Sequence, residues 1–150
     1  MAQRKKAKPR GALGEVRRPS PAKTEGEIST FAAPAAIGPY VQARAAGGWL
    51  FCSGQIGLDP ESGTLVSGGA RAEAERVLRN LEAVLAAAGA GLAHVVKTTI
   101  YLVDMVDFAD VNEVYAEVFR SPLPARATVA VAALPKGARV EIEAIAKLPK

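Results

Sequence analysis

Histidine and cysteine are almost missing from this chain of 150 residues, with one of each, His94 and Cys52. That scarcity removes whole classes of chemistry. A zinc site of His and Cys ligands cannot be assembled within one chain, and no intrachain disulfide framework can form. A Ser-His-Asp triad is equally poor, because His94 stands at the start of a strand with no nucleophile beside it in sequence. Cys52 lies inside an apolar strand pattern and reads as a small buried hydrophobe, which suits a reducing compartment. There is no run of about 18 apolar residues and no short apolar segment after the basic start, so neither a membrane span nor a secretory signal is supported. No Walker-type loop and no glycine fingerprint opens the first helix, so nucleotide binding is unsupported.

The charge that is present is placed unevenly. Residues 1–30 carry eight Lys or Arg against three Glu, whereas the other 120 residues hold eleven basic and twelve acidic side chains. The basic character of the chain therefore belongs to its start, and the near-neutral remainder has no global attraction for nucleic acid. Residues 1–28, rich in Pro, Gly, Lys and Arg and without a hydrophobic period, are expected to be a disordered tail, and residues 29–150 one domain. The tail reads first as a solvated segment, with an organellar targeting segment, which its glutamates and scarce Ser count against, and an arm for nucleic acid or a membrane surface as the alternatives. The expected compartment is the cytoplasm, with an organelle as the alternative if the tail is a targeting peptide.

Elements can be read from Tyr40 onward. YVQARA, Gly47-Gly48 and WLFCSGQI form a hairpin pattern with a two-residue glycine turn, and residues 57–69 are turn chemistry throughout. A long helix follows, with Val77, Leu78, Leu81, Val84, Leu85 and Ala88 inward, Glu73, Glu75, Arg76 and Arg79 toward water, and Gly89 as its stop. HVVKTTIYLV, residues 94–103, reads as a central strand. Asp104 or Asp107 can cap a second helix whose stripe is Val111, Val114, Tyr115, Val118 and Phe119, ended by Pro122 and Pro124. Residues 127–134 read as a strand buried on both faces, and residues 139–146 as an alternating strand returning beside it. This predicts an α+β fold, a mixed sheet with two helices packed on one face. The opposite face lacks a cover within the chain, so a homo-oligomer is expected.

What remains for chemistry is an arginine, carboxylates, hydroxyls and backbone groups. Arg126 stands at the mouth of an apolar strand, and a guanidinium there needs an anion. Glu141 and Glu143 share one face of the last strand, which on this reading sets a cation and a carboxylate on neighbouring strands. Such a pair fits either a pocket for a carboxylate-bearing ligand or an ordinary edge salt bridge. The other candidates are Tyr40, Ser53 and Gly54, the last two also readable as a strand bulge, with Asn112, also readable as a surface helix residue, and Thr128.

Six segments together resemble a known family: Ala35–Tyr40 (AAIGPY), Ser53–Ile56 (SGQI), Val96–Thr99 (VKTT), Asn112–Tyr115 (NEVY), Pro124–Arg126 (PAR) and Glu141–Ala146 (EIEAIA). They are similar, in order and over residues 33–148, to the RidA (YjgF/YER057c/UK114) family of reactive-intermediate deaminases. The resemblance implies a chorismate-mutase-like fold, a homotrimer with its sheets forming an internal barrel, ligand clefts between subunits, and no metal or cofactor. It implies hydrolysis of 2-imino acids and their enamines to 2-oxo acids and ammonia. In it Arg126 holds the substrate carboxylate, Tyr40, Ser53 and Gly54 line the cleft with Asn112 nearby, and Glu143 orients water. Many members have cysteine where this chain has Thr128, and serine where it has Ala127; a hydroxyl still donates and accepts. Endoribonuclease or translation-inhibitor activity and a holdase-type chaperone are the rival functions; the near-neutral core and the lack of a catalytic histidine count against a nuclease, and a chaperone would need exposed apolar patches.

Overall fold

The computed structural model describes residues 24–150. Two adjacent glycines set the first hairpin: Gly47 (φ 57°) and Gly48 (φ 78°) both take the left-handed backbone that a two-residue turn between twisted strands requires. They join β2 (Ala43–Ala46) to β3 (Trp49–Ile56), antiparallel with Ala46 opposite Trp49. An additional strand, β1 (Gly26–Ile28), pairs with β2, and Ile28 is fully buried. The domain thus begins earlier than the expected residue 29. The rest of the expected tail, residues 1–23, lies outside the described residues.

The sheet is completed by β4 (Val95–Leu102), β5 (Ala125–Ala130) and β6 (Val140–Lys147), in the order β1-β2-β3-β6-β4-β5. All neighbours are antiparallel except β4 and β5. Two helices, α1 (Gly69–Ala87) and α2 (Phe108–Val118), contribute to the core with the sheet, as expected for the α+β class. On α1 the stripe Val77, Leu81, Val84 and Leu85 has no exposed surface, each such side chain contributing about 1.5–3 kcal/mol by leaving water. No helix among the described residues is long and apolar enough to cross a membrane.

Several expectations need correction. Glu73, expected to face water, is buried, with Oε1 accepting a hydrogen bond from the Arg139 backbone N at 3.1 Å. It lies in the second turn of α1, which tucks against Gly57. Asp104 caps only a one-turn helix, Met105–Asp107, accepting from Val106 N at 2.9 Å. Asp107 does not cap α2 but accepts from Arg139 Nε and Nη2 at 3.0 and 2.7 Å. The strand expected at 127–134, buried on both faces, is β5 at Ala125–Ala130. It is the sheet edge, partly to fully exposed, because within one chain it pairs only with β4. β6 does not return beside β5; it inserts between β3 and β4.

That topology leaves one face of the sheet open. Trp49, Phe51 and Val129 are large apolar residues exposed on its strands, and Ala127 is exposed as well. Along β6 the residues alternate, with Val140, Ile142, Ala144 and Ala146 buried and Glu141, Glu143 and Ile145 on the open side.

Candidate active site

The first group of candidate residues gathers at an irregularity. Between Cys52 and Gln55 the register of β3 against β6 jumps, so Ser53 and Gly54 form a bulge, as one of the two sequence readings allowed. The bulge frees Ser53 for other partners: its N donates to Gln42 O at 3.0 Å and its Oγ to Val41 O at 2.6 Å. Those bonds fix the segment that carries Tyr40, half-exposed, whose hydroxyl accepts from Ile37 N at 3.3 Å. Tyr40, Gly54, Ala35, Ala36 and Ile37 help line a small cleft of about 30 Å³, which adjoins an apolar hollow of about 240 Å³ between Phe31 and Tyr40. Gln42, which the sequence reading passed over, fastens this loop. It is buried, its Oε1 accepts from Thr30 N, and its Nε2 donates to the carbonyls of Thr30, Ala33 and Pro34 at 2.8–3.2 Å.

Gly54 has a second use. A Cβ there would overlap the carboxylate of Glu141, with Glu141 Cδ and Cγ only 2.8 and 2.9 Å away. The missing side chain is a notch that admits the carboxylate to the bulge. Burial, and then the charge of Glu143, push the Glu141 carboxyl above its ordinary range. Glu143, the glutamate singled out from the sequence, instead accepts a hydrogen bond from Tyr101 at 3.0 Å, which raises the Tyr101 phenol. Two glutamates at i and i+2 on one strand face are equivalent in a sequence pattern. Only the register against the Ser53-Gly54 bulge tells them apart.

The second group is built on the edge strand. Parallel pairing sets Arg126 beside Thr98 of β4, whose side chain points under α2 and meets Tyr115 at 2.7 Å, hydroxyl to hydroxyl. Arg126 therefore lies on the helix side, its guanidinium carbon 4.8 Å from the Tyr115 ring centre and 5.8 Å from that of Phe108. None of the ion pairs among the described residues involves Arg126. The edge-salt-bridge reading is thus not met among the described residues, which leave the fork open to an anion. Thr128 is two residues along the same side of β5, and Asn112, exposed on α2, lies at helical spacing between Phe108 and Tyr115.

The two groups do not meet in one chain. Glu143 pairs in register with Thr99, the neighbour of Thr98, and so looks out of the opposite face of the sheet from Arg126. Glu141 shares the face of Glu143, and β4 separates β6 from β5. The expectation of a cation and a carboxylate on neighbouring strands is corrected: two residue groups stand back to back on one subunit.

A mixed sheet under two helices, with Arg126 on the helix side and Glu141 set into the bulge at Gly54 on the other, defines a small α+β protein whose candidate residues lie on both faces of one sheet. The chain belongs to the RidA family: the sequence profile described as Endoribonuclease L-PSP matches residues 30–148. The mouse (Mus musculus) protein named 2-iminobutanoate/2-iminopropanoate deaminase is 58% identical over 119 residues, covering 79% of this chain and 88% of its own. Among solved structures, RidA from the Antarctic bacterium Psychrobacter sp. PAMC 21119 is 48% identical with a TM-score of 0.80, covering 82% of this chain and 99% of its own. E. coli TdcF with bound serine is 38% identical with a TM-score of 0.77, covering 83% and 100%. The fold expected from the resemblance is the fold found.

Proposed function

We propose that this chain is an imine hydrolase that converts 2-iminobutanoate and 2-iminopropanoate, with their enamine forms, to 2-oxo acids and ammonia. The observation that carries the reading is a guanidinium on aromatic rings with no carboxylate partner among the described residues, matched by a carboxylate recessed at Gly54 on the other sheet face. Groups placed back to back on one subunit face each other when a second copy docks head to tail, and the open sheet with Trp49, Phe51 and Val129 supplies an apolar surface for that docking. The assembly is a ring of three with its clefts between subunits. The substrate carboxylate takes the Arg126 fork of one subunit, and Tyr40, Ser53 and Gly54 of the next enclose the imine, with Asn112 and Thr128 lining the Arg126 side.

An imine carbon is already electrophilic, so orientation and proton transfer suffice. Glu141, in its ionised form, accepts a proton from water as the water oxygen bonds to C2 and the C=N π electrons move to nitrogen, which takes up a proton from solvent. The resulting aminoalcohol loses its C–N bond with the proton held on Glu141 delivered to nitrogen, and the C2 hydroxyl proton returns to solvent as the carbonyl forms. One water is consumed, one ammonia is released, and the carboxylate is unchanged. Glu141 takes the water-orienting place because it, not Glu143, touches the bulge. Cys52, buried with its thiol pushed up to about 12, stays protonated and apart from the chemistry. The single buried cysteine suits the reducing cytoplasm as the compartment.

The test supplies 2-aminoacrylate or 2-aminocrotonate, generated in situ by a dehydratase acting on serine or threonine, and follows the imine absorbance. Loss accelerated in proportion to added protein is the expected result; decay at the buffer rate overturns the reading.

A further inference from the structure

We propose that Tyr115, with Phe108, is a positioning residue that holds the Arg126 guanidinium ready for its anion; the inference deepens the proposed function and rests on it. An arginine on an edge strand, without a carboxylate partner, has several rotatable bonds and no reason to keep one orientation. Here two ring faces supply that reason. The guanidinium carbon lies 4.8 Å from the Tyr115 centre and 5.8 Å from that of Phe108. A cation over the face of a ring is attracted by its quadrupole, and the contact leaves the N–H edge of the planar fork free for a carboxylate.

The platform is itself fixed. Tyr115 is 6% exposed, its hydroxyl is tied to buried Thr98 at 2.7 Å, and Phe119 packs against it at 4.5 Å between ring centres. Phe108, by contrast, is 39% exposed at the start of α2, where the Arg139–Asp107 pair anchors the chain one residue before it. One ring is thus a buried base and the other a peripheral wall. Tyr115 does more than fill the core, because the side chain resting on its outer face is the one that takes the substrate carboxylate.

The experiment measures 2-oxobutanoate affinity by calorimetry, together with KM and kcat for the imine, in wild type, Tyr115→Phe, Tyr115→Leu and Phe108→Leu. Tyr115→Leu is expected to weaken 2-oxobutanoate binding and raise KM by about 2- to 30-fold, the range of a cation–ring contact, with kcat changed much less. Tyr115→Phe keeps the ring face and loses only the bond to Thr98, so its Kd is expected to lie much nearer the wild-type value than that of Tyr115→Leu. Phe108→Leu, at a half-exposed position that folding tolerates, is expected to show a smaller change in the same direction. Wild-type affinity in both leucine variants overturns the proposal, as does a Phe variant as weak as the Leu one. The NMR signal of the Arg126 Nε–H in the ligand-free protein separates this from the functional reading. If wild type binds no 2-oxobutanoate yet that signal is ring-shifted upfield and returns to the exposed-arginine position in Tyr115→Leu, the substrate assignment fails and the positioning stands. An unshifted signal in wild type overturns the positioning.

Discussion

The two groups of site residues are made by different means. Around Tyr40, Ser53, Gly54 and Glu141 the chain uses an irregularity: a bulge, a missing Cβ, and hydroxyl and amide bonds to loop carbonyls. Around Arg126 it uses regularity, with strand register, helical spacing and aromatic faces. The first depends on volume at one position, and the second on where a charge is aimed. The two should fail in different ways.

The largest effect is expected at the carboxylate. Glu141→Gln keeps the shape but cannot accept a proton, so hydrolysis should fall by about 10²-fold or more while 2-oxobutanoate still binds. The same variant should not lose stability near neutral pH. The raised folded-state pKa means that the folded protein holds a proton more tightly than the unfolded chain, so stability falls as pH rises from the ordinary glutamate range through the raised value. Replacing the carboxyl removes that loss, and urea titrations at acid and neutral pH would show it. Wild-type turnover should likewise decline as pH falls through the Glu141 range, since the base must be ionised.

Arg126→Ala comes next. Losing a charge-assisted bidentate contact costs about 2–5 kcal/mol, or about 30-fold or more in kcat/KM, with the affinity for 2-oxobutanoate falling in parallel. Arg126→Lys should rescue poorly, because a point charge does not reproduce the fork. Gly54→Ala then separates the two modes of construction: the new methyl displaces Glu141, lowering turnover about tenfold and destabilising the fold by about 1–3 kcal/mol, the range of overpacking. Retained activity would show that the notch is not where the chemistry occurs. The smallest effect is expected for Glu143→Gln, which keeps an acceptor for Tyr101 and stands away from the bulge, so kinetics should stay within about threefold of wild type. A loss matching that of Glu141→Gln would return the water-orienting role to Glu143.

Much of this was legible in the residues. The period of α1, the Gly47-Gly48 hairpin and the alternation of β6 are local patterns, and they appear in the structure with boundaries within a few residues. What escaped was non-local. An apolar run such as ATVAVAAL fits a strand covered on both faces, but no local signal says whether the cover is the same chain or another, so β5 is an edge. The insertion of β6 between β3 and β4 depends on pairing across long stretches of chain, and with it went the placement of Arg126 relative to Glu143. Residues chosen by type, Arg126, Tyr40, Ser53 and Gly54, do gather into the two groups. The contact of Glu141 with Gly54 and the hold of Gln42 on the loop were not legible, because they follow from register against a bulge and from burial beneath a loop.

The central claim is that each site takes Arg126 from one subunit and Glu141 from another. Co-expression of Arg126→Ala chains with Glu141→Gln chains tests it directly, with assembled rings purified and assayed for imine hydrolysis. Random mixing rebuilds about a quarter of the sites from one intact arginine and one intact glutamate, so the mixed protein should recover about a quarter of wild-type turnover, far above either parent. Mixed rings no more active than the parents would contradict a shared site.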